Sequence, residues 1–90
     1  MIEPVLSFTI TDHAREEMWR RGIDEALIQR VLRSPEQRHA VRAGRDVLQA
    51  RVHTSEKECL VRVFVDIDRT PAEVVTAYRT SKIAKYWRSR

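Results

Sequence analysis

The sequence contains a single cysteine, Cys59, and no apolar stretch that approaches the ~20 residues of a membrane-spanning helix. One cysteine excludes an internal disulfide and a zinc site built from cysteines. The start of the chain lacks a basic segment followed by a long apolar one, so we expect no signal peptide. These absences predict a cytoplasmic protein that does not contact a membrane.

The length and composition bound the number of domains. A chain of 90 residues can bury one hydrophobic core but not two. Its hydrophobic fraction of 42% and charged fraction of 33% are typical of a soluble globular protein. We therefore expect one domain over residues 1–90, whose oligomeric state the sequence leaves open.

The positive charge of the chain is concentrated near its end. The net charge is +4, and residues 74–90 contain no acidic residue. A localised basic patch attracts polyanions by releasing their counterions, which favours contact with RNA. The alternative is a solvated terminal helix. The basic residues of this stretch are Arg79, Lys82, Lys85, Arg88 and Arg90.

The first half of the chain predicts two adjacent helices. Thr11 or Asp12 can cap a helix over residues 12–21, and Gly22 can end it in a left-handed conformation. The candidates for its inward face are Ala14, Met18 and Trp19. Asp24 can cap a second helix whose apolar residues recur at helical spacing until Ser34-Pro35 stops it. The short link between the two predicts an αα-hairpin.

After Pro35 the apolar period changes from helical to alternating, which predicts strands. Short connections between them predict an antiparallel meander. Residues 5–10 fit either a short strand or an extended lead-in, and Thr80 or Ser81 can cap a short terminal helix. The expected fold is α+β, with two N-terminal helices packed on one face of a four-stranded antiparallel sheet and a short C-terminal helix. The predicted strands cover residues 37–42, 46–53, 59–67 and 73–79.

Alternation along these strands separates an apolar face from a polar one. The apolar face, which should meet the helices, collects Leu48, Ala50, Val52, Val61, Val63, Val65, Val75 and Ala77. The opposite face collects Gln49, Arg51, Arg62, Phe64, Val74, Thr76 and Tyr78. Arginines, hydroxyls and rings together predict a shallow basic platform for RNA bases and phosphates. The alternative is an ordinary exposed face with cross-strand pairs.

Two motifs in this sequence carry a family resemblance. One is His13-Ala14 followed by Met18 and Arg21-Gly22-Ile23, and the other is Val74-Val75-Thr76-Ala77-Tyr78. In this order they resemble small bacterial proteins of the domain-of-unknown-function family 4258, over nearly the whole chain. That family is similar to RelE-like toxins of the barnase–EndoU–colicin–RelE fold.

The resemblance implies a metal-independent endoribonuclease, the toxin of a toxin–antitoxin pair, with an antitoxin protein as partner. It also implies site residues, because His13, Arg21, Thr76 and Tyr78 match the recurring polar positions of the family. One position departs from the pattern: Glu17 stands where many relatives have an arginine.

A mechanism without a metal needs proton transfer and a cation beside the phosphate. We assign general acid or base catalysis to His13, the side chain that titrates nearest neutrality. Tyr78 would stack on a base or donate a hydrogen bond, and Thr76 would orient a partner. Guanidinium groups bind phosphate bidentately, and the candidates on the strands are Arg51, Arg62 and Arg79.

Each of these residues also has a structural explanation. His13 could cap its own helix or bond a neighbouring carbonyl, and Arg21 could stabilise the helix C-terminus. Thr76 and Tyr78 are residue types that favour strands.

Two further readings remain. His13 and Glu17 are spaced i, i+4, which a metal site completed by His39 or His53 could use, but the sequence has no HExxH pattern. We therefore expect no metal and no cofactor. The second reading is a non-catalytic module that binds RNA or a protein, which the carboxylate of Glu17 favours.

Overall fold

The computed structural model describes residues 2–89 as a strand, two helices, four strands and a short helix. Arg90, part of the basic stretch, lies outside the described residues. Within residues 2–89 no helix has the length and apolar character to cross a membrane. The structure is α+β, as predicted. Its elements are β1 (Phe8–Ile10), α1 (Asp12–Arg21), α2 (Glu25–Arg33), β2 (Gln37–Arg42), β3 (Arg45–His53), β4 (Glu58–Asp66), β5 (Ala72–Thr80) and α3 (Ile83–Tyr86).

The ends of α1 and α2 follow the predicted capping residues. The Thr11 hydroxyl accepts a hydrogen bond from the Ala14 N–H at 3.0 Å, and Gly22 ends α1 with φ of 68°. The Asp24 carboxylate accepts from the Leu27 N–H at 2.9 Å and begins α2. Capping satisfies backbone N–H groups that have no partner within a helix. The two predicted helices and the short link between them are therefore confirmed.

The sheet has five strands in the order β1-β5-β4-β3-β2. Strands β2 to β5 form the predicted antiparallel meander. The prediction of four strands was wrong in one respect, because β1 pairs in parallel with the start of β5. This pairing satisfies backbone groups that an edge strand would otherwise leave open. Three residues are too few to show alternation, so the sequence could not distinguish this strand from a lead-in.

One bulge changes which valine of β5 enters the core. Val65 pairs with Val74 and Phe64 pairs with Thr76, so Val75 has no opposite residue on β4. A bulge inserts one residue and shifts the alternation on one side of it. Val74 is consequently fully buried in the core, whereas Val75 is half-buried. The sequence alternation had placed these two valines on the wrong faces.

The exposure of α1 corrects a second expectation. Ala14 and Met18 are buried against the sheet, but the Trp19 side chain is 84% exposed. Successive helical residues are rotated by about 100°, so the stripe that contains positions 14 and 18 does not include position 19. Trp19 therefore lies outside the core.

The third helix lies across the sheet face opposite α1 and α2. The carbonyl oxygen of Tyr86 accepts a hydrogen bond from Gln49 Nε2 at 3.2 Å, and Val47 and Leu60 on this face are fully buried. The face predicted to be an open platform is therefore partly covered. Neither Thr80 nor Ser81 is the N-cap of α3, whose cap is Lys82.

The bulge predicts that two neighbouring valines contribute differently to the stability of the fold. Val74→Ala is expected to lower the free energy of unfolding by about 2 kcal/mol, because it removes methyl groups from the packed core. Val75→Ala removes the same atoms from a half-buried position and is expected to cost less than about 1 kcal/mol. Denaturant titration of both variants measures the difference, and equal losses would contradict the assigned register.

Candidate functional site

Helix α1 covers the outer edge of β5. Strand β1 pairs only with residues 72–74, so the rest of β5 has β4 as its one strand neighbour among the described residues. Arg21 Nη1 donates to the Ala77 carbonyl at 2.8 Å, and the Thr11 N–H donates to the Val74 carbonyl at 3.1 Å. These bonds satisfy acceptors that an open edge would expose. They place the polar side of α1 beside the last strand.

The Glu17 carboxylate joins α1 to β5. Its Oε1 accepts a hydrogen bond from Thr76 Oγ1 at 2.5 Å and lies 3.5 Å from Arg21 Nη1. Its Oε2 lies 3.2 Å from His13 Nε2. We call these four residues, His13, Glu17, Arg21 and Thr76, the edge cluster. Glu17 thus contacts three of the four residues that the resemblance singles out, namely His13, Arg21 and Thr76.

The charge of Glu17 is stabilised by these neighbours. The hydrogen bond from Thr76 and the positive charges of Arg21 and His13 lower the pKa of Glu17, outweighing the effect of its burial. Its side chain is only 14% exposed, whereas that of His13 is 69% exposed. The carboxylate therefore holds one imidazole nitrogen while most of the His13 ring stays accessible to a ligand. His13 does not cap α1, since Thr11 performs that role.

A second cluster surrounds Arg62 on the polar face of the sheet. Arg62 Nη1 donates to the Tyr78 hydroxyl at 2.7 Å. Its guanidinium carbon lies 5.3, 5.8 and 4.5 Å from the ring centroids of Phe64, Tyr78 and Tyr86, within the range of cation–π attraction. We call Arg62, Phe64, Tyr78 and Tyr86 the arginine–ring cluster.

Arg62 is a nearly buried cation, 9% exposed, and no carboxylate within residues 2–89 pairs with it. Arg45 of β3, by contrast, binds Asp66 at 2.6 Å. Removing a charge from water is costly unless an opposite charge compensates it. The position of Arg62 therefore favours the binding of an anion.

Hydrogen bonds hold Arg62 in place across four strands. Gln49 Oε1 accepts from Arg62 Nε at 2.8 Å, and Gln49 Nε2 donates to Gln37 Oε1 at 2.7 Å. With the bond to Tyr78, they form a continuous row from β2 to β5. Gln49 is fully buried, so the row is a fixed support for the guanidinium. Gln37 is not among the site residues predicted from the sequence. The pairing of β2 with β3 places it opposite Gln49.

Two further titratable groups lie near Arg62. Burial, followed by the charges of Arg88 and Arg62, lowers the pKa of His39 below its ordinary value. Hydrogen bonding with Tyr78 and the charge of Lys85 lower the pKa of Tyr86. His39 follows Gln37 by two residues, and residues spaced by two lie on the same face of a strand. This spacing is the sequence signal that could have placed His39 on the polar face.

The two clusters are adjacent on β5. Thr76 of the edge cluster and Tyr78 of the arginine–ring cluster are two residues apart, about 6.6 Å along an extended strand. Both oppose polar-face residues of β4, Phe64 and Arg62. The structure thus divides the five predicted site residues into two groups: His13, Arg21 and Thr76 lie around Glu17, and Arg62 lies beside Tyr78.

The predicted nucleic-acid-binding residues are dispersed. The Arg51 guanidinium is bound to Glu36 at 3.0 Å and lies 4.2 Å from the Trp87 ring. Arg79 lies beside the α1–α2 turn. Its Nη2 is 3.2 Å from the position that a Cβ would occupy if residue 22 were not glycine. That position is on the helix side of the sheet, away from Arg62. Lys82 and Lys85 are exposed.

The His13–Glu17 pair is not joined by a third metal-ligating group. Across residues 2–89 no set of three or more His, Cys, Asp or Glu side chains is arranged to hold a metal ion. The neighbours of the pair are a hydroxyl and a guanidinium, and a guanidinium repels cations. The exposed imidazole beside a carboxylate is an arrangement that can transfer protons.

Comparison with known proteins identified one family. The model of a family described as Domain of unknown function (DUF4258) matches residues 10–83. No curated protein and no solved structure matches the chain. The matched range contains the whole edge cluster together with Arg62, Phe64 and Tyr78, whereas Tyr86 lies beyond it.

The ionised state of Glu17 predicts an effect of pH on stability. Because the folded-state pKa lies below its ordinary value of 4.5, the interactions of Glu17 stabilise the fold above that pH. Their contribution is lost as the pH falls through the folded-state pKa. From about pH 5 to about pH 3, the free energy of unfolding should fall more steeply in the natural protein than in Glu17→Gln.

Denaturant titration at several pH values measures these slopes. Glu16→Gln is the matched control, because Glu16 is exposed on the same helix and makes no hydrogen bond or ion pair with residues 2–89. It should keep the slope of the natural protein. An unchanged slope in Glu17→Gln would show that the carboxylate does not join α1 to β5.

Proposed function

We propose that this chain, which belongs to the DUF4258 family, binds RNA at the polar edge of its sheet and cleaves it without a metal ion. The single observation that carries the proposal is Arg62. Its guanidinium is nearly buried among three rings and has no carboxylate partner among the described residues. A phosphate diester supplies the missing negative charge, and its bases supply surfaces for the rings.

RNA binding would use the arginine–ring cluster first. Arg62 would hold a phosphate oxygen, since guanidinium–phosphate hydrogen bonds are strong and directional. The rings of Tyr78 and Tyr86 would stack on a base, an interaction that tolerates any base. Exposed Lys82 and Lys85 would extend the positive surface along the strand of RNA.

Cleavage would combine both clusters. The 2′-hydroxyl attacks the adjacent phosphorus while a base takes its proton, and an acid protonates the departing 5′-oxygen. His13, accessible and oriented by Glu17, performs one of these transfers. Tyr86, whose ring lies 4.5 Å from the Arg62 guanidinium, is the candidate for the other. Arg62 stabilises the charge that develops on the phosphate oxygens.

Arg21 and Thr76 have supporting roles in this mechanism. Arg21 donates to the Ala77 carbonyl and Thr76 donates to Glu17. Both bonds hold α1, the helix that carries His13, against β5. We assign to these two residues the positioning of His13 rather than contact with RNA.

A RelE-like relationship and a toxin function are part of the proposal. The order of two helices, the antiparallel strands β2 to β5 and a short final helix supports it. A toxin of this kind acts in the cytoplasm, where an antitoxin protein would be its partner.

A non-catalytic RNA-binding module is the second candidate. The observation that favours it is the Glu17 carboxylate, whose negative charge lies against both His13 and Arg21. A carboxylate at this position repels a phosphate from the edge cluster. RNA would then contact only the arginine–ring cluster and the basic side chains beside it.

Removal of His13 distinguishes the two functions. His13→Ala is expected to slow cleavage of a single-stranded RNA in EDTA by ~10²–10⁴-fold, the usual contribution of a general acid or base. Mapping of the RNA ends over time measures the rate. His53→Ala is the matched control, because His53 is exposed at the end of β3 and belongs to neither cluster. Equal rates in all three proteins would exclude His13 as the catalytic group.

The non-catalytic module predicts binding that depends on salt and leaves the RNA intact. Lys82→Ala or Lys85→Ala should weaken binding of a 2′-O-methyl oligonucleotide and reduce the slope of log affinity against log salt by about 1. Fluorescence anisotropy measures both quantities. Lys57→Ala, in an exposed loop, should leave the slope unchanged. Cleavage of unmodified RNA by the same preparations would reject this candidate.

A further inference from the structure

An exposed tryptophan marks a surface that the proposed RNA site does not use. Trp19 lies on α1 with 84% of its side chain exposed. A shallow depression of about 380 Å³ beside it is lined by Met18, Gly22, Ile23 and Asp24. A single exposed apolar residue needs no explanation, but one beside an apolar depression is typical of a recognition surface.

The depression continues along α2. A second depression of about 400 Å³ shares Gly22 and Asp24 with the first, and a third of about 300 Å³ shares Ala26 and Arg30 with the second. We call these three adjoining depressions the α2 groove. Its apolar floor, formed by Met18, Ile23 and Leu27, lies in the first two depressions, whereas the third is lined mostly by polar side chains.

The rim of the α2 groove is positively charged. Arg30, Arg33 and Arg79 line it, are exposed, and pair with no carboxylate within residues 2–89. The acidic residues nearby are engaged: Asp24 caps α2, and Glu25 binds Arg15 at 3.2 Å. The groove therefore combines an apolar floor with arginines that lack a counter-charge.

We propose that the α2 groove binds an acidic amphipathic helix of a partner protein. Apolar side chains spaced by one helical turn would enter successive depressions, and one would contact Trp19. Carboxylates beside them would pair with Arg30, Arg33 and Arg79. The apolar floor favours a polypeptide over RNA, whose backbone offers phosphates and sugars. This proposal does not depend on RNA cleavage, because the groove lies on the helix side of the sheet.

The two tryptophans allow a direct test on the full chain. In Trp87→Phe the fluorescence reports Trp19 alone. The probe is a synthetic helical peptide with leucines on one face and glutamates on the other, compared with a scrambled peptide of the same composition. The helical peptide should shift Trp19 emission to shorter wavelengths and bind more tightly than the scrambled one.

Charge reversal on the rim gives the second readout. Arg30→Glu, in the Trp87→Phe protein, should weaken peptide binding about fivefold or more, because a carboxylate faces the glutamates of the peptide. Arg42→Glu is the matched control, since Arg42 is exposed at the end of β2 and should leave the affinity unchanged. His13→Ala should also bind the peptide normally, whatever its effect on RNA cleavage.

Three results would overturn the assignment. One is equal affinity for the scrambled peptide, and another is an unchanged emission of Trp19 on peptide binding. The third is an oligouridylate that shifts Trp19 emission and competes with the peptide, which would make the groove an RNA surface.

Discussion

The Glu17 carboxylate is the interaction on which the arrangement of the candidate site depends. It binds Thr76 of β5 at 2.5 Å while holding His13 of α1 at 3.2 Å. The hydrogen bond from Arg21 to the Ala77 carbonyl joins the C-terminal end of α1 to the same strand. Without this carboxylate, α1 would keep its apolar contacts with the core, but His13 would lose its ion-pair partner among the described residues. The side chain of Glu17 therefore has a structural role as well as an electrostatic one.

The second constraint is the buried row of side chains across the sheet. Gln37, Gln49, Arg62 and Tyr78 form successive hydrogen bonds, and α3 covers part of the row through Tyr86. A cation held in this way has little freedom to move toward water or a distant carboxylate. It is therefore held in a fixed position beside the rings of Phe64, Tyr78 and Tyr86. Both constraints involve β5, because Thr76 of this strand binds Glu17 and Tyr78 of this strand binds Arg62.

Local patterns predicted most of the fold. Capping residues and apolar spacing located α1 and α2, and alternation located β2 to β5. The parallel pairing of β1 and the bulge at Val75 depend on contacts between distant segments, which no short window contains. The hydrogen bond between Glu17 and Thr76 spans 59 positions. The sequence therefore showed that Glu17 is a carboxylate where an arginine was expected, but not which residue it binds. Likewise nothing in a short window of the sequence shows that α3 lies across the polar face and brings Tyr86 beside Arg62.

In the proposed function, the edge cluster and the arginine–ring cluster form one RNA site. The most direct measurement is an NMR titration with a short 2′-O-methyl RNA, which binds but cannot be cleaved through its 2′-oxygen. The resonances of the His13 ring and the Arg62 side chain should shift together, with the same dissociation constant. Shifts at Arg62 alone, with His13 unchanged at saturation, would show that the two clusters do not form one site.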